Sequence, residues 1–169
     1  AEAALQQAHA ELNQIQRELT NDLQLAAKVQ QGFLPSAIDT DRLAVETLFE
    51  PFSHVSGDVF DYVWDSRYEV LSGYIADVMG HGIGTALQTA ALRVLFRQAM
   101  ERSLSPKSKL DWINRQVLPY FAEDSFAAAI YFEFDFNKGT LKYSAAGINY
   151  FIADNGDYSG IVSIPGSYL

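Results

Sequence analysis

The chain contains no cysteine among its 169 residues, which excludes disulfides, zinc–thiolate sites and thiol nucleophiles. Basic residues are in short supply as well: 12 Lys and Arg stand against 21 Asp and Glu, for a net charge of −9. Such a surface repels the phosphates of nucleic acid and of anionic lipid headgroups, so neither is an expected partner, whereas acidity suits divalent cations. No apolar run is long enough to span a bilayer and the first residues are polar rather than signal-like. No membrane insertion and a cytoplasmic location are therefore the expectation. What the chain does have is core-forming material, 49% hydrophobic and 13% aromatic, which suffices for one globular domain.

Character changes at Pro35, where a glycine-poor, Gln/Ala/Leu-rich segment gives way to aromatics, β-branched residues and turns. Upstream, Leu5, Leu12, Leu19 and Ala26 recur every seven residues, with Ala8, Ile15 and Val29 interleaved and Asp22 breaking the series. This is an a/d seam, and Leu23 and Leu25 beside the break are consistent with a stutter. Residues 1–34 thus read as an amphipathic linker helix. Either it pairs with a second copy as a coiled coil, giving a homodimer, or it packs on its own domain. Its abrupt start suggests an upstream domain.

Residues 35–169 form the second unit. The pattern predicts strands over 43–52, 58–62, 68–77, 127–136, 140–144 and 150–153. A helix over 85–100 is apolar around much of its circumference and is expected to be largely buried. Ser105 and Pro106 open another helix that runs through Leu110, Ile113 and Val117. Hairpins and a helix pair give an α+β class with mainly antiparallel sheet.

Two carboxylates stand out. Asp58 in Val55-Ser56-Gly57-Asp58-Val59-Phe60-Asp61 and Asp77 in Ile75-Ala76-Asp77-Val78-Met79-Gly80-His81-Gly82 each lie where a β-rich stretch meets glycines. An acid at the end of a buried strand points into a rigid crevice, and adjacent glycines let carbonyls and waters approach the same hard cation. Each group also has a plainer reading. An Asp next to Gly is often a turn residue bonding its own backbone. Asp61 is an acceptor behind the cation ligands that orients their waters, or a strand-end turn residue. His81 donates a proton to a leaving oxygen, or stabilises its turn by hydrogen bonding. The Gly80 to Gly82 turn cradles phosphate at a helix N-terminus, or is an ordinary turn; it is neither a P-loop nor a dinucleotide fingerprint.

These two segments, extended to Ala86, and Leu141-Lys142-Tyr143-Ser144-Ala145-Ala146-Gly147 resemble successive motifs of the bacterial PPM-type serine/threonine phosphatases, the SpoIIE/RsbU branch of the protein phosphatase 2C relatives. Ala26 to Pro35 is similar to the helix that joins such phosphatases to upstream domains, so the resemblance implies an upstream sensor or receiver domain. The resemblance implies a layered αββα sandwich. It also implies two divalent cations, Mn²⁺ or Mg²⁺, bridged by Asp77 and partly held by Asp58, with the Val78 backbone carbonyl as a further ligand. Asp58 and Asp77 would then be catalytic, because the cations acidify a shared water that attacks phosphorus without a covalent enzyme intermediate. The implied substrate is a phosphoserine or phosphothreonine on an anti-sigma-factor antagonist. The family's further aspartates, in a Thr-Asp-Gly-like turn near the end of its domain, match no position here. The domain is therefore expected to be C-terminally incomplete at Pro165 to Leu169, with weak, partial or absent metal in this fragment. Two other classes remain open. One is a pseudophosphatase adaptor that binds without hydrolysis. The other is a nucleotidyl cyclase, since Ser56 to Phe60 faintly resembles the GGDEF signature, although the Asp77 motif has no place in that reading.

Overall fold

The computed structural model describes residues 2–51, 53–121 and 124–169. Helix α1 (Glu2–Gln31) is followed by two short strands, β1 (Ile38–Asp39) and β2 (Ala44–Val45), then β3 (Asp58–Asp65), β4 (Val70–Val78), α2 (Ile83–Met100), α3 (Pro106–Val117), β5 (Ala127–Asp135), β6 (Thr140–Ala146), β7 (Tyr150–Asp154) and β8 (Ser159–Ser163). Strands β3-β4-β5-β6 make one four-stranded sheet, and β1-β2 and β7-β8 are separate two-stranded ribbons. All these strand pairs are antiparallel. The class is α+β, as expected.

The core lies between the main sheet and α2 and α3. Because side chains alternate along a strand, Val59, Tyr74, Ala76, Val78, Ala127, Ala129 and Tyr131 all turn to the helices, where they meet Leu92, Leu95, Phe96, Ala99, Leu110, Ile113 and Val117. Small residues at 76, 127 and 129 let the helices approach, and Tyr74 stacks on Phe96 with ring centroids 3.9 Å apart. Helix α3 begins where the sequence places it: Pro106 at its start needs no hydrogen-bond partner, and the Ser105 hydroxyl accepts from the Ser108 N–H at 3.2 Å. The opposite face of the sheet is also aromatic, with Trp64, Phe134 and Phe136 packed on one another.

Three sequence expectations are corrected. Only Ala44 and Val45 of the 43–52 stretch are strand, since residues 46–51 have no ladder to join; Phe52 lies outside the described residues. Helix α2 is not largely buried. It lies against a single sheet, so Thr85, Thr89, Leu92, Leu95, Phe96 and Ala99 are covered while Leu87 and Val94 are exposed. Strand β8 was unforeseen; it returns from the Asp154 to Asp157 turn to pair with β7.

The first 25 or so residues of α1 do not pack on this domain: Leu5, Leu12, Ile15, Leu19 and Leu25 are all at least 50% exposed. That removes the self-packing alternative for the seam. The last turn behaves differently, with Gln30 buried and the Arg93 guanidinium of α2 lying 4.9 Å over the Phe33 ring.

Because Phe96 is fully buried against Tyr74, Phe96→Ala is expected to lower unfolding free energy by about 4 kcal/mol. Urea denaturation followed by fluorescence measures this; a loss below about 1 kcal/mol would show that the α2–sheet contact is not the centre of the core.

Candidate metal centre

The register of β3 on β4 pairs Asp58 with Asp77. Directly opposed residues project to the same face of an antiparallel pair, so the two carboxylates emerge side by side at the open end of the strands, on the face away from α2. Both are accessible to solvent. Their mutual effect is visible in Asp77, whose carboxyl is raised above the usual carboxylate range by partial desolvation and by the Asp58 charge. Two like charges held together in this way favour a cation between them.

The backbone closes the other side. The Val78 N–H donates to the Gly57 carbonyl at 3.0 Å, so the Gly57 turn lies flat on the end of β4. A Cβ on Gly57 would collide with the Val78 carbonyl oxygen and come within 3.3 Å of Asp77 Oδ1. Only glycine leaves that carbonyl and that carboxylate uncovered on a common cradle. Two carboxylates and one carbonyl, gathered around Gly57 with the Thr85 methyl also 3.3 Å from the place a Cβ would take, are hard oxygen donors of the kind Mg²⁺ and Mn²⁺ accept. Among the described residues no group of three or more His, Asp or Glu side chains converges, so the donors here supply part of a coordination sphere.

Asp58 is held by a local loop of hydrogen bonds. Its N–H donates to Ser56 Oγ at 3.0 Å, and that hydroxyl lies 3.3 Å from Asp58 Oδ2. Beyond Asp77 the chain turns sharply. Gly80 and Gly82 have φ of 104° and 88°, in the left-handed region that favours glycine. Gly82 then caps α2 through its carbonyl, which accepts from the Ala86 N–H at 3.0 Å, with no side-chain cap. The first N–H groups of α2 thus face outward from this turn. His81 is exposed and makes no hydrogen bond among the described residues, so the glycines themselves hold the turn.

Asp61 is placed elsewhere. Three positions after Asp58, it has the opposite parity and points into the helical face. Its side chain is fully buried, with Arg97 Nε 2.6 Å and Arg93 Nη2 3.7 Å from Oδ2. The Arg97 approach is off the N–H axis, so Oδ2 has ion-pair partners but no hydrogen bond; Oδ1 accepts from the Tyr62 N–H at 2.9 Å. The neighbouring Tyr74 hydroxyl is pushed well above the phenol range by burial and by the Asp61 charge. Asp61 is thus not a strand-end turn residue; its side chain lies on the face opposite to those of Asp58 and Asp77 and ties α2 to β3. A second buried charge, Lys109, serves α3 in the same way, with Nζ 3.0 Å from Tyr131 Oη and 2.8 Å from Glu133 Oε1. Burial alone would lower its pKa, but those partners outweigh it and leave the amine raised.

The chain matches the Stage II sporulation protein E (SpoIIE) family over residues 69–159, more than half its length. It is 33% identical over 132 residues to the phosphoserine phosphatase RsbP of Bacillus subtilis (strain 168), a match spanning 75% of this chain and 32% of that protein. With the phosphoserine phosphatase RsbU of the same organism it shares 29% identity over 142 residues, 83% of this chain and 42% of the relative. The chain therefore spans between 32% and 42% of the length of these curated relatives. Among solved structures, the SiaA PP2C domain of Pseudomonas aeruginosa superimposes with a TM-score of 0.72 at 20% identity, over 93% of this chain and 63% of that one. At that identity the likeness speaks for the fold alone: a protein phosphatase 2C-like arrangement behind a long N-terminal helix.

Since Asp61 serves the α2–β3 contact, Asp61→Asn is expected to cost roughly 3 kcal/mol of stability while leaving Mn²⁺ affinity unchanged. Denaturant melts and Mn²⁺ titration of the same variant check it; weakened Mn²⁺ binding in a well-folded Asp61→Asn protein would place Asp61 at the metal after all.

Proposed function

The chain belongs to the SpoIIE family, and on that premise we propose that it carries the core of a metal-dependent phosphatase acting on phosphoserine or phosphothreonine in a partner protein. The observation that supports this most strongly is the facing pair Asp58 and Asp77 over the bare Gly57 cradle. Two family relatives are named phosphoserine phosphatases, and the anti-sigma-factor antagonists expected from the sequence are substrates of that chemical class.

In this reading Asp58, Asp77 and the Val78 carbonyl would hold Mn²⁺ or Mg²⁺, which when bound would supply charge neutralisation at the phosphoryl oxygens and acidification of water. The chain's own residues do the positioning. The β3–β4 ladder fixes the separation of the carboxylates, Gly57 keeps the approach open, and the Gly80 to Gly82 turn presents the first N–H groups of α2 toward an incoming phosphate. No side chain is needed as a covalent nucleophile. The net charge of −9 argues against nucleic acid, and no helix among the described residues is long and apolar enough to cross a membrane.

The exposed seam of α1 supports a second part of the proposal, that residues 1–34 pair with a second copy. Four apolar side chains on one stripe, Leu5, Leu12, Ile15 and Leu19, face solvent, and an amphipathic helix stabilises itself by burying such a stripe.

Two outcomes are expected. The intact protein hydrolyses a phosphoserine protein with Mn²⁺, and Asp77→Asn lowers that rate by more than about a hundredfold, beyond what loss of an outer partner costs. Tight Mn²⁺ binding with no hydrolysis of any phosphoserine substrate would favour the adaptor reading instead. In sedimentation equilibrium the protein runs as a dimer and Leu12→Glu with Leu19→Glu runs as a monomer; a monomeric parent protein would overturn the pairing.

A further inference from the structure

Gln30 is 6% exposed, although Val29 and Gln31 on either side of it face solvent. Every polar atom of its carboxamide is engaged. Oε1 accepts from the Ser56 backbone N–H at 2.8 Å, and Nε2 donates to the Ser56 carbonyl at 2.7 Å and to Thr89 Oγ1 at 3.2 Å. The amide therefore closes on both backbone groups of one residue, as a neighbouring strand would, at a place just before β3 begins. Its orientation is fixed chemically, because only the oxygen can meet the Ser56 N–H and only the nitrogen can meet the Ser56 carbonyl. Thr89 donates its own proton to the Ala86 carbonyl at 2.8 Å, which leaves its oxygen as the acceptor for Gln30.

The chain of bonds continues to the metal centre. Ser56, so anchored, accepts from the Asp58 N–H and lies beside Asp58 Oδ2, while the next carbonyl, Gly57, is held by the Val78 N–H. The turn that carries Asp58 is thereby fixed on one side by β4 and on the other by a side chain from α1. Asp58 is the first residue of β3, so without that second anchor its carboxylate would ride on a frayed strand end.

We propose that Gln30 and Ser56 are positioning residues for the metal centre, Gln30 fixing the Ser56 backbone and the Ser56 hydroxyl fixing the Asp58 carboxylate opposite Asp77. This deepens the metal-phosphatase reading and rests on it. The groups touch neither metal nor substrate; they act through Asp58.

The test is Mn²⁺ titration followed by electron paramagnetic resonance, with hydrogen exchange of the 55–59 amides in metal-free protein. Gln30→Met keeps the side-chain volume without the hydrogen bonds. It is expected to weaken Mn²⁺ binding by roughly 10- to 100-fold and to speed exchange at Ser56 and Asp58. Ser56→Ala is expected to weaken Mn²⁺ binding in the same direction, and Ser56→Thr, which retains the hydroxyl, to restore it. Should Gln30→Met fail to fold, the Ser56 pair decides alone. Mn²⁺ affinity within about twofold of the parent in both Gln30→Met and Ser56→Ala, with binding still abolished by Asp77→Asn, would overturn the positioning roles and leave the metal centre standing. Binding unaffected by Asp77→Asn would overturn the metal centre and the positioning roles together.

Discussion

Antiparallel pairing of β3 with β4 has a period of two, and this period governs where every charged group of the domain can go. With Asp58 opposite Asp77 and Val59 opposite Ala76, even and odd positions are committed to opposite faces. A slip of one residue would send an acid into the core and a valine to the solvent. The core residues Val59, Tyr74, Ala76 and Val78 thus hold the two carboxylates together: the hydrophobic side of the sheet fixes the register that the polar end requires.

The two faces then take different tasks. The helical face carries the stabilising contacts, including two buried charges with specific partners, Asp61 with Arg93 and Arg97 and Lys109 with Glu133 and Tyr131. Buried ion pairs of this kind contribute orientation more dependably than net stability, and here each one ties a particular helix to a particular strand. The far face carries the like-charged Asp58 and Asp77, which form no ion pair with a cationic side chain among the described residues. Asp77 is raised by burial and by that repulsion. Repulsion retained at a strand end, beside a glycine that a larger residue could not replace, is the feature on which the proposed cation site rests.

Much of this was legible in the sequence because the relevant signals are local. Ser105-Pro106 marks the start of α3, Asn137-Lys138-Gly139 marks the β5–β6 turn, and the glycines after Asp77 mark the entry to α2. Asp58 and Asp77 drew notice through the glycines beside them, and the ladder pairs them directly. What failed depends on partners distant in sequence. Whether 46–51 forms a strand depends on a neighbouring edge, and how much of α2 is buried depends on how many layers cover it. Asp61 was left open between an acceptor that orients waters and a strand-end turn residue, because its partners Arg93 and Arg97 lie more than thirty positions away. The part played by Gln30 gives no sequence signal at all: a glutamine near a helix end looks like surface, and only the fold brings Ser56 and Thr89, 26 and 59 positions away, to its amide.

Helix α1 consequently has two characters along one rod, an exposed apolar seam for most of its length and a buried polar anchor in its last turn. The account stands on the proposal that the carboxylate pair receives a cation. The most direct measurement is anomalous diffraction at the manganese edge from crystals of the protein grown with Mn²⁺. The account predicts a peak within coordination distance of Asp58 or Asp77 carboxylate oxygens and of the Val78 carbonyl. Ordered electron density for both carboxylates with no anomalous signal between them would contradict it.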